Sequence, residues 1–251
     1  TTEGAALVAN SLKERMLSRS VDGGDHGVFR RFEVLVSLLA LLSCGFHAFF
    51  LPAFEGPDEP FHLARAAAVV DVGPTAAGEH LSPELVAAVR SSPCAPDLQR
   101  ALGCPPFGEE PAAFNVLADS KPSSAEIPGE RVENYQEHQP PLAYLGMGAW
   151  LRAFGAEGPR ERIWVLRLGA VFLVVAGLLL LRSGLDRTTW LCLALAVHLP
   201  GAVESLIRVS NDVPVFFWAS ACVYLLHRDA RRSTPAVAAL GPLIKLTAFP
   251  V

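Results

Sequence analysis

The chain has 251 residues, of which 51% are hydrophobic and only 18% charged, against about 25% charged in a typical soluble domain. Its mean hydropathy is +0.33. Its formal net charge is −4 and it has no basic stripe with interleaved aromatics, which argues against nucleic acid as a partner.

The charges lie outside long apolar windows, and about 20 apolar residues are enough to cross the hydrocarbon of a bilayer. The expectation is an all-α integral membrane protein, a multi-span helical bundle with a large extracytoplasmic first loop. Residues 1–31 hold Lys13, Arg15, Arg19, Arg30 and Arg31, a basic flank that favours the cytoplasm. Phe32–Phe54 is the first transmembrane helix (32–54), with Glu33 at its start and His47 as its one interior ionisable group. It is too long for the apolar core of a signal peptide and lacks a small-x-small cleavage site.

Residues 55–162 form the extracytoplasmic loop. It is acidic and too rich in proline for one long helix. Short helices are expected over Pro60–Val72 and Pro83–Arg90, the second capped by Ser82. Cys94 and Cys104 lie in this loop and would pair in an oxidising compartment. Cys44, Cys192 and Cys222 sit in apolar windows, as small buried thiols do.

Pro140–Phe154 is apolar but only about 15 residues long, short for a span. With Tyr144, Trp150 and Arg152 it reads as an interfacial helix near 140–154. Ile163–Leu181, broken only by Arg167, is the second span. Thr188–Ile207 is the third, Val213–Leu226 the fourth, and Ala236–Val251 begins a fifth. Residues 163–251 thus supply helices two to five, and the chain is expected to continue past Val251. On this topology the basic residues Arg182, Arg187, Arg228, Arg231 and Arg232 all fall in the cytoplasm. If Pro140–Phe154 spans instead, every later loop inverts and the basic runs are split between sides.

Three polar clusters then meet on the outer face. In Gly56-Pro57-Asp58-Glu59-Pro60-Phe61-His62 two adjacent carboxylates border lipid, where a raised pKa suits a general base. The same residues also read as a turn in which Asp58 caps the helix opened by Pro60. In His138-Gln139-Pro140-Pro141 the prolines hold His138 and Gln139 stiffly at a helix start, a ready anion site or a plain helix entry. In Arg208-Val209-Ser210-Asn211-Asp212 the guanidinium offers a fork to a headgroup phosphate or snorkels from an ordinary loop. Arg167 and Lys245 are further cations in apolar surroundings, where function is the default hypothesis. No cofactor is certain. A divalent metal on Asp58, Glu59, His62 and His138 stays open, although no compact ligand spacing calls for one.

The order of these motifs resembles the GT-C superfamily of polyprenyl-phosphate-sugar-dependent glycosyltransferases, closest to its protein mannosyltransferase and aminoarabinose transferase branch. The matching stretches are Pro57 to His62, His138 to Tyr144, Arg167 to Ala170, and Ser210 to Asp212, in order over roughly residues 33–251. Gln139 stands where the aminoarabinose branch often has a basic residue, and residues 73–133 contain no matching motif. The resemblance implies a multi-pass enzyme of the bacterial inner membrane. It implies a sugar moved from a polyprenyl phosphate to an acceptor hydroxyl on the extracytoplasmic face, with inversion. Asp58 and Glu59 would be the catalytic carboxylates. His62, His138, Gln139, Arg167, Arg208, Asp212 and Lys245 would bind substrate. The partners implied are membrane lipid, the lipid-linked donor and the missing C-terminal half. The alternative is a non-catalytic membrane subunit or scaffold that binds a partner protein through its acidic loop. A carrier for lipid-linked glycans is a third reading, whose sign would be broken helices at the midplane.

Overall fold

The computed structural model describes residues 31–56, 58–73, 80–92, 99, 103–104, 132–228 and 237–245. It is mostly helical, and among these residues the only β pairing is an isolated bridge between His80 and Glu133. Residues 1–30, Cys94, Arg231, Arg232 and most of the long loop lie outside the described residues.

Helix α1 (Arg31–Phe50) is apolar apart from Arg31 and Glu33 at its start and His47 near its end. It buries one narrow stripe, Val36, Ala40, Cys44 and Ala48, and leaves large side chains such as Leu42 and Phe46 exposed. The stripe repeats every four residues, which places it on one helix face, and its small members allow close approach of a neighbouring helix. After Pro52 the chain turns at Phe54, a non-glycine residue at φ 64° that is fully buried.

The outer part of the molecule follows. Helix α2 (Glu59–Asp71) has Pro60 in its first turn, where its missing N–H costs nothing. Every residue from Glu59 to Ala66 is buried. Helix α3 (Pro83–Arg90) starts at Ser82, whose hydroxyl accepts from Leu85 N–H at 3.2 Å. A 3-10 turn at Tyr135–His138 is tied to α2 by the buried Asn134, which donates to Phe61 O and accepts from Gln136 N–H, both at 3.0 Å. Helix α4 (Pro141–Phe154) ends on Gly155 at φ 63°, the left-handed closure glycine allows. It packs along α2 and onto α5. Cys104 is disulfide-bonded, whereas Cys44, Cys192 and Cys222 are free.

Helix α5 (Pro159–Gly184) is 26 residues long and passes through two cores. Its first turns, at Ile163, Val165 and Leu166, belong to the outer core with Phe54, Phe61, Leu63, Tyr144 and Leu151. From Ala170 onward it belongs to the bundle core with the α1 stripe, Trp190, Val203 and Ile207. Among the described residues two helices, α1 and α5, are long and apolar enough to cross a membrane, or three if the bent pair described next is one span.

The third span, expected as one helix over Thr188–Ile207, is two. Helix α6 (Arg187–Ala196) and helix α7 (Pro200–Ile207) meet at 79°. Pro200 lacks an N–H, and its ring would clash with the carbonyl four residues earlier. The chain answers with a turn in which His198 N–H and Leu199 N–H bond three residues back. Helix α8 (Asp212–His227) is shorter than a standard span at 16 residues. Of the expected fifth span, the described part includes the short helix α9 (Gly241–Ile244), which ends at an extended Lys245.

Close contacts at glycine fix the helix directions. Gly177 faces Phe216 and Ser220, and Gly184 faces Val223 and Tyr224, so α5 and α8 run parallel while α6 and α7 return between them. At one end of this bundle Glu33 pairs with Arg182 at 2.9 Å and Arg187 at 3.2 Å. The opposite end carries the polar clusters singled out from the sequence.

Gly148 marks a close approach between α4 and α2, since a Cβ there would lie 2.6 Å from Val69 Cγ1. Gly148→Ala is expected to destabilise the protein by about 1–3 kcal/mol through overpacking. Val69→Ala in the same chain should recover most of the loss, with a coupling of about 1 kcal/mol or more. Thermal unfolding in detergent of the two single variants and the double variant measures this, and additive losses would refute the contact.

Candidate functional site

The polar end is organised around one buried ion pair. Arg167 and Glu59 are both buried, at 0% and 1% exposure, with Nη2 2.8 Å from Oε2. The remaining donors of Arg167 reach Glu59 Oε1 and the carbonyls of Leu51 and Pro52. Glu59 Oε1 also accepts from Val209 N–H at 2.9 Å. Buried charges are tolerated when paired and fully hydrogen-bonded, and this pair is. It gathers the exit of α1, the start of α2, the middle of α5 and the exit of α7 on one point.

Asp58, one residue earlier, has the opposite surroundings. It occupies the N-cap position of α2 without making a side-chain cap. Its exposed carboxylate instead accepts from Tyr135 O–H. Burial and this bond push the Tyr135 hydroxyl pKa up, so the tyrosine keeps its proton and remains the donor.

His62 is buried and lies 2.7 Å by Nδ1 from the Tyr144 hydroxyl. Burial lowers its pKa to about 4 against the opposing pull of Asp58 and Asp212, so the ring is neutral at ordinary pH. Arg65 stands 4.9 Å above the Tyr144 ring and donates to Gln139 O at 2.8 Å. Gln139 Oε1 accepts from Asn211 Nδ2 at 3.3 Å. Asp212 pairs with Lys245, which lies at the end of α9. His138 is exposed at the end of the 3-10 turn.

Arg208 is held differently from the other cations. Its guanidinium stands 4.0 Å from Glu55 and 3.7 Å from Glu204, beyond hydrogen-bond reach, and its Nε is buried without a partner. Its stem lies over Gly56, where a Cβ would come within 3.0 Å of Arg208 Cδ. Beside it opens a cavity of about 430 Å³ between α4, α5, α8 and α9. The lining is apolar, with Met147, Trp150, Phe172, Phe217, Trp218 and Ile244 among it, and Arg208 and Ser210 supply its polar edge.

The fold thus brings Asp58, Glu59, His62, Gln139, Arg167, Arg208, Asp212 and Lys245 to one end of the molecule. Sequence reasoning placed Asn211 in the third polar cluster without giving it a role, and did not single out Tyr135, Tyr144, Arg65 or Glu55 as site residues. Arg65 carried a signal, being three residues after His62 in an otherwise apolar helix and so on the same face. The long-range pairings of the two tyrosines carried none. Among the described residues no group of three His, Cys, Asp or Glu side chains is arranged to hold a metal ion.

A family of predicted membrane proteins, DUF2142, matches residues 41–249. The chain belongs to this family. The match runs from the second half of α1 through α9 and so covers every element of the polar end. No curated protein and no solved structure matches the chain.

Removing Arg167 alone leaves Glu59 charged and unpaired, so Arg167→Met is expected to cost about 3–5 kcal/mol. Glu59→Met in the same chain should return most of it, as measured by thermal unfolding. If the double variant is as unstable as the single one, the pair is not what the segments depend on.

His62 makes stability depend on pH. Its folded pKa of about 4 lies below its ordinary 6.5, so the unfolded chain binds more protons between these values. Stability is therefore full above pH 6.5, falls as pH drops towards about 4, and loses at most about 3 kcal/mol from this group. His62→Gln should flatten that part of a Tm-against-pH curve.

Proposed function

We propose that this protein is a glycosyltransferase of the GT-C kind, moving a sugar from a polyprenyl phosphate to an acceptor hydroxyl at the extracytoplasmic face of a bacterial inner membrane. The observation that carries the reading is Arg208. Its guanidinium, held only by ion pairs longer than hydrogen bonds, stands at the polar edge of an apolar cavity and against the loop that carries Asp58. An isoprenoid chain suits such a cavity and its phosphate suits Arg208 and the Ser210 hydroxyl.

In the proposed reaction the acceptor oxygen attacks the anomeric carbon and forms the new glycosidic bond. The bond from that carbon to the phosphate oxygen breaks, and the lipid phosphate leaves with the electron pair. Asp58 takes the acceptor's proton, with Tyr135 fixing the carboxylate. Arg208 stabilises the charge that builds on the leaving phosphate. One displacement inverts the anomeric centre.

Glu59 and Arg167 act on this scheme as positioning residues, because their polar atoms already engage each other and the backbone. Neutral His62 and the Gln139–Asn211 pair orient sugar or acceptor. Lys245 and Asp212 flank the cavity beside Ile244, and His138 meets the acceptor from its exposed position.

The bend between α6 and α7 favours a second reading, a carrier of lipid-linked glycan, since broken helices mark many carriers. One substitution separates the two. Asp58→Asn should lower transfer by about 10²–10⁴-fold with an unchanged melting temperature, and Arg208→Ala by about 10²–10³-fold. Purified protein with a panel of polyprenyl-phosphate sugars and acceptors, read by mass spectrometry, gives the rates. Full transfer by the Asp58→Asn protein removes Asp58 as the base, and no transfer by the wild type sinks the enzyme reading.

A further inference from the structure

Glu55 lies in the connection from α1 to α2, beside Arg208, and the transfer scheme leaves it without a role. We infer that Glu55 is a proton-linked gate on the Arg208 site: its carboxylate occupies the guanidinium in the empty state and is neutralised by a proton when an anionic lipid phosphate takes its place. The inference rests on the reading of Arg208 as the phosphate site.

The geometry supports a displaceable contact. Glu55 Oε1 is 4.0 Å from Arg208 Nη2, too far for a hydrogen bond, while Glu55 Oε2 is buried with no hydrogen-bond partner. Both side chains are about a quarter exposed, at 27% and 29%, so neither carries a full shell of water. Gly56 gives the Arg208 stem the room to lie here, since a Cβ would press on Cδ.

The charges around the contact give it direction. Glu55 is faced by Arg208 and Glu204 from α7 and its exit, by Glu59 from α2 and by Arg167 from α5. Three carboxylates thus share two guanidinium groups, and Glu59 already holds Arg167. A bound phosphate would add a fourth negative charge. Like charges in a half-buried site do not all stay ionised, and one carboxylate must take up a proton. Glu55 is placed to do so, since its Oε2 is buried with no hydrogen-bond partner, burial raises its pKa, and repulsion from Glu204 and Glu59 adds to the shift, with Arg208 and Arg167 opposing it. Binding of one phosphate is therefore coupled to uptake of one proton, and affinity rises as pH falls.

The probe is methyl farnesyl phosphate, a phosphodiester whose single charge does not titrate near neutrality, added to the full chain in nanodiscs. The wild type should bind it more tightly at about pH 5.5 than at about pH 7.5, by no more than tenfold per pH unit. It should also take up close to one proton per probe bound in weakly buffered solution near neutral pH. Glu55→Gln should bind tightly at both values and take up none. Arg208→Ala should not bind.

Binding by the wild type without proton uptake overturns the gate and leaves the Arg208 site standing, as does a pH slope that persists in Glu55→Gln. If the probe fails to bind, or binds to Arg208→Ala as to the wild type, the phosphate site itself is wrong and the gate falls with it.

Discussion

Everything at the polar end hangs on the buried contact between Glu59 and Arg167. Arg167 sits on α5 between Leu166, which belongs to the outer core, and Ala170, which belongs to the bundle core. It therefore marks the level at which one core gives way to the other. Its partners come from three other stretches: the carbonyls of Leu51 and Pro52, the carboxylate of Glu59, and through that carboxylate the amide of Val209. Hydrophobic side chains at both 59 and 167 would fill the space, and such paired replacements are often neutral in stability. They would not say which backbone carbonyls must meet there. The ion pair does, because a guanidinium has donors in a fixed plane and a carboxylate has acceptors in another.

That arrangement also sorts the cations at this end by how closely each is held. Arg167 is closed off by its partners. Arg65 is committed to Gln139 O and the Tyr144 face, and Lys245 to Asp212. Arg208 is retained by two carboxylates at longer range, and it borders the cavity. Position relative to the cores, more than charge, separates these four. Arg167 lies between two packed layers, whereas Arg208 follows the last turn of α7 and emerges where α7 gives way to α8.

Much of the scaffold could be read from residues alone. The apolar windows marked α1, α5 and α8, and Ser82 and the doubled proline at 140–141 marked the starts of α3 and α4. Both signals act locally, through hydrophobic length and through the few orphan N–H groups of a helix start. The bend before α7 was not read, although Pro200 announces it, because a hydropathy window counts Pro200 as one neutral residue and ignores its missing donor. The pairing of Tyr135 with Asp58 joins positions 77 apart, and that of His62 with Tyr144 joins positions 82 apart. Such contacts follow from how α2 packs against the 3-10 turn and α4, and no spacing in the chain encodes them. The family match extends over 41–249 and speaks for the membrane architecture alone, so the chemistry has to be argued from the side chains.

The contrast between Asp58 and Glu59 shows how that argument runs. The two are neighbours in sequence with the same functional group, and at a helix start successive side chains point about 100° apart. Glu59, the first residue of α2, turns inward, and its oxygens accept from Arg167 and from Val209 N–H. A base needs a lone pair that faces the incoming proton, and Glu59 has none to offer without breaking the contact that holds four segments together. Asp58 stays exposed, with one oxygen engaged by Tyr135. That bond fixes the carboxylate plane, and in the proposed transfer orientation is what taking a proton from the acceptor oxygen requires. The pairing of one carboxylate buried in an ion pair with one left exposed follows from a single step along the chain.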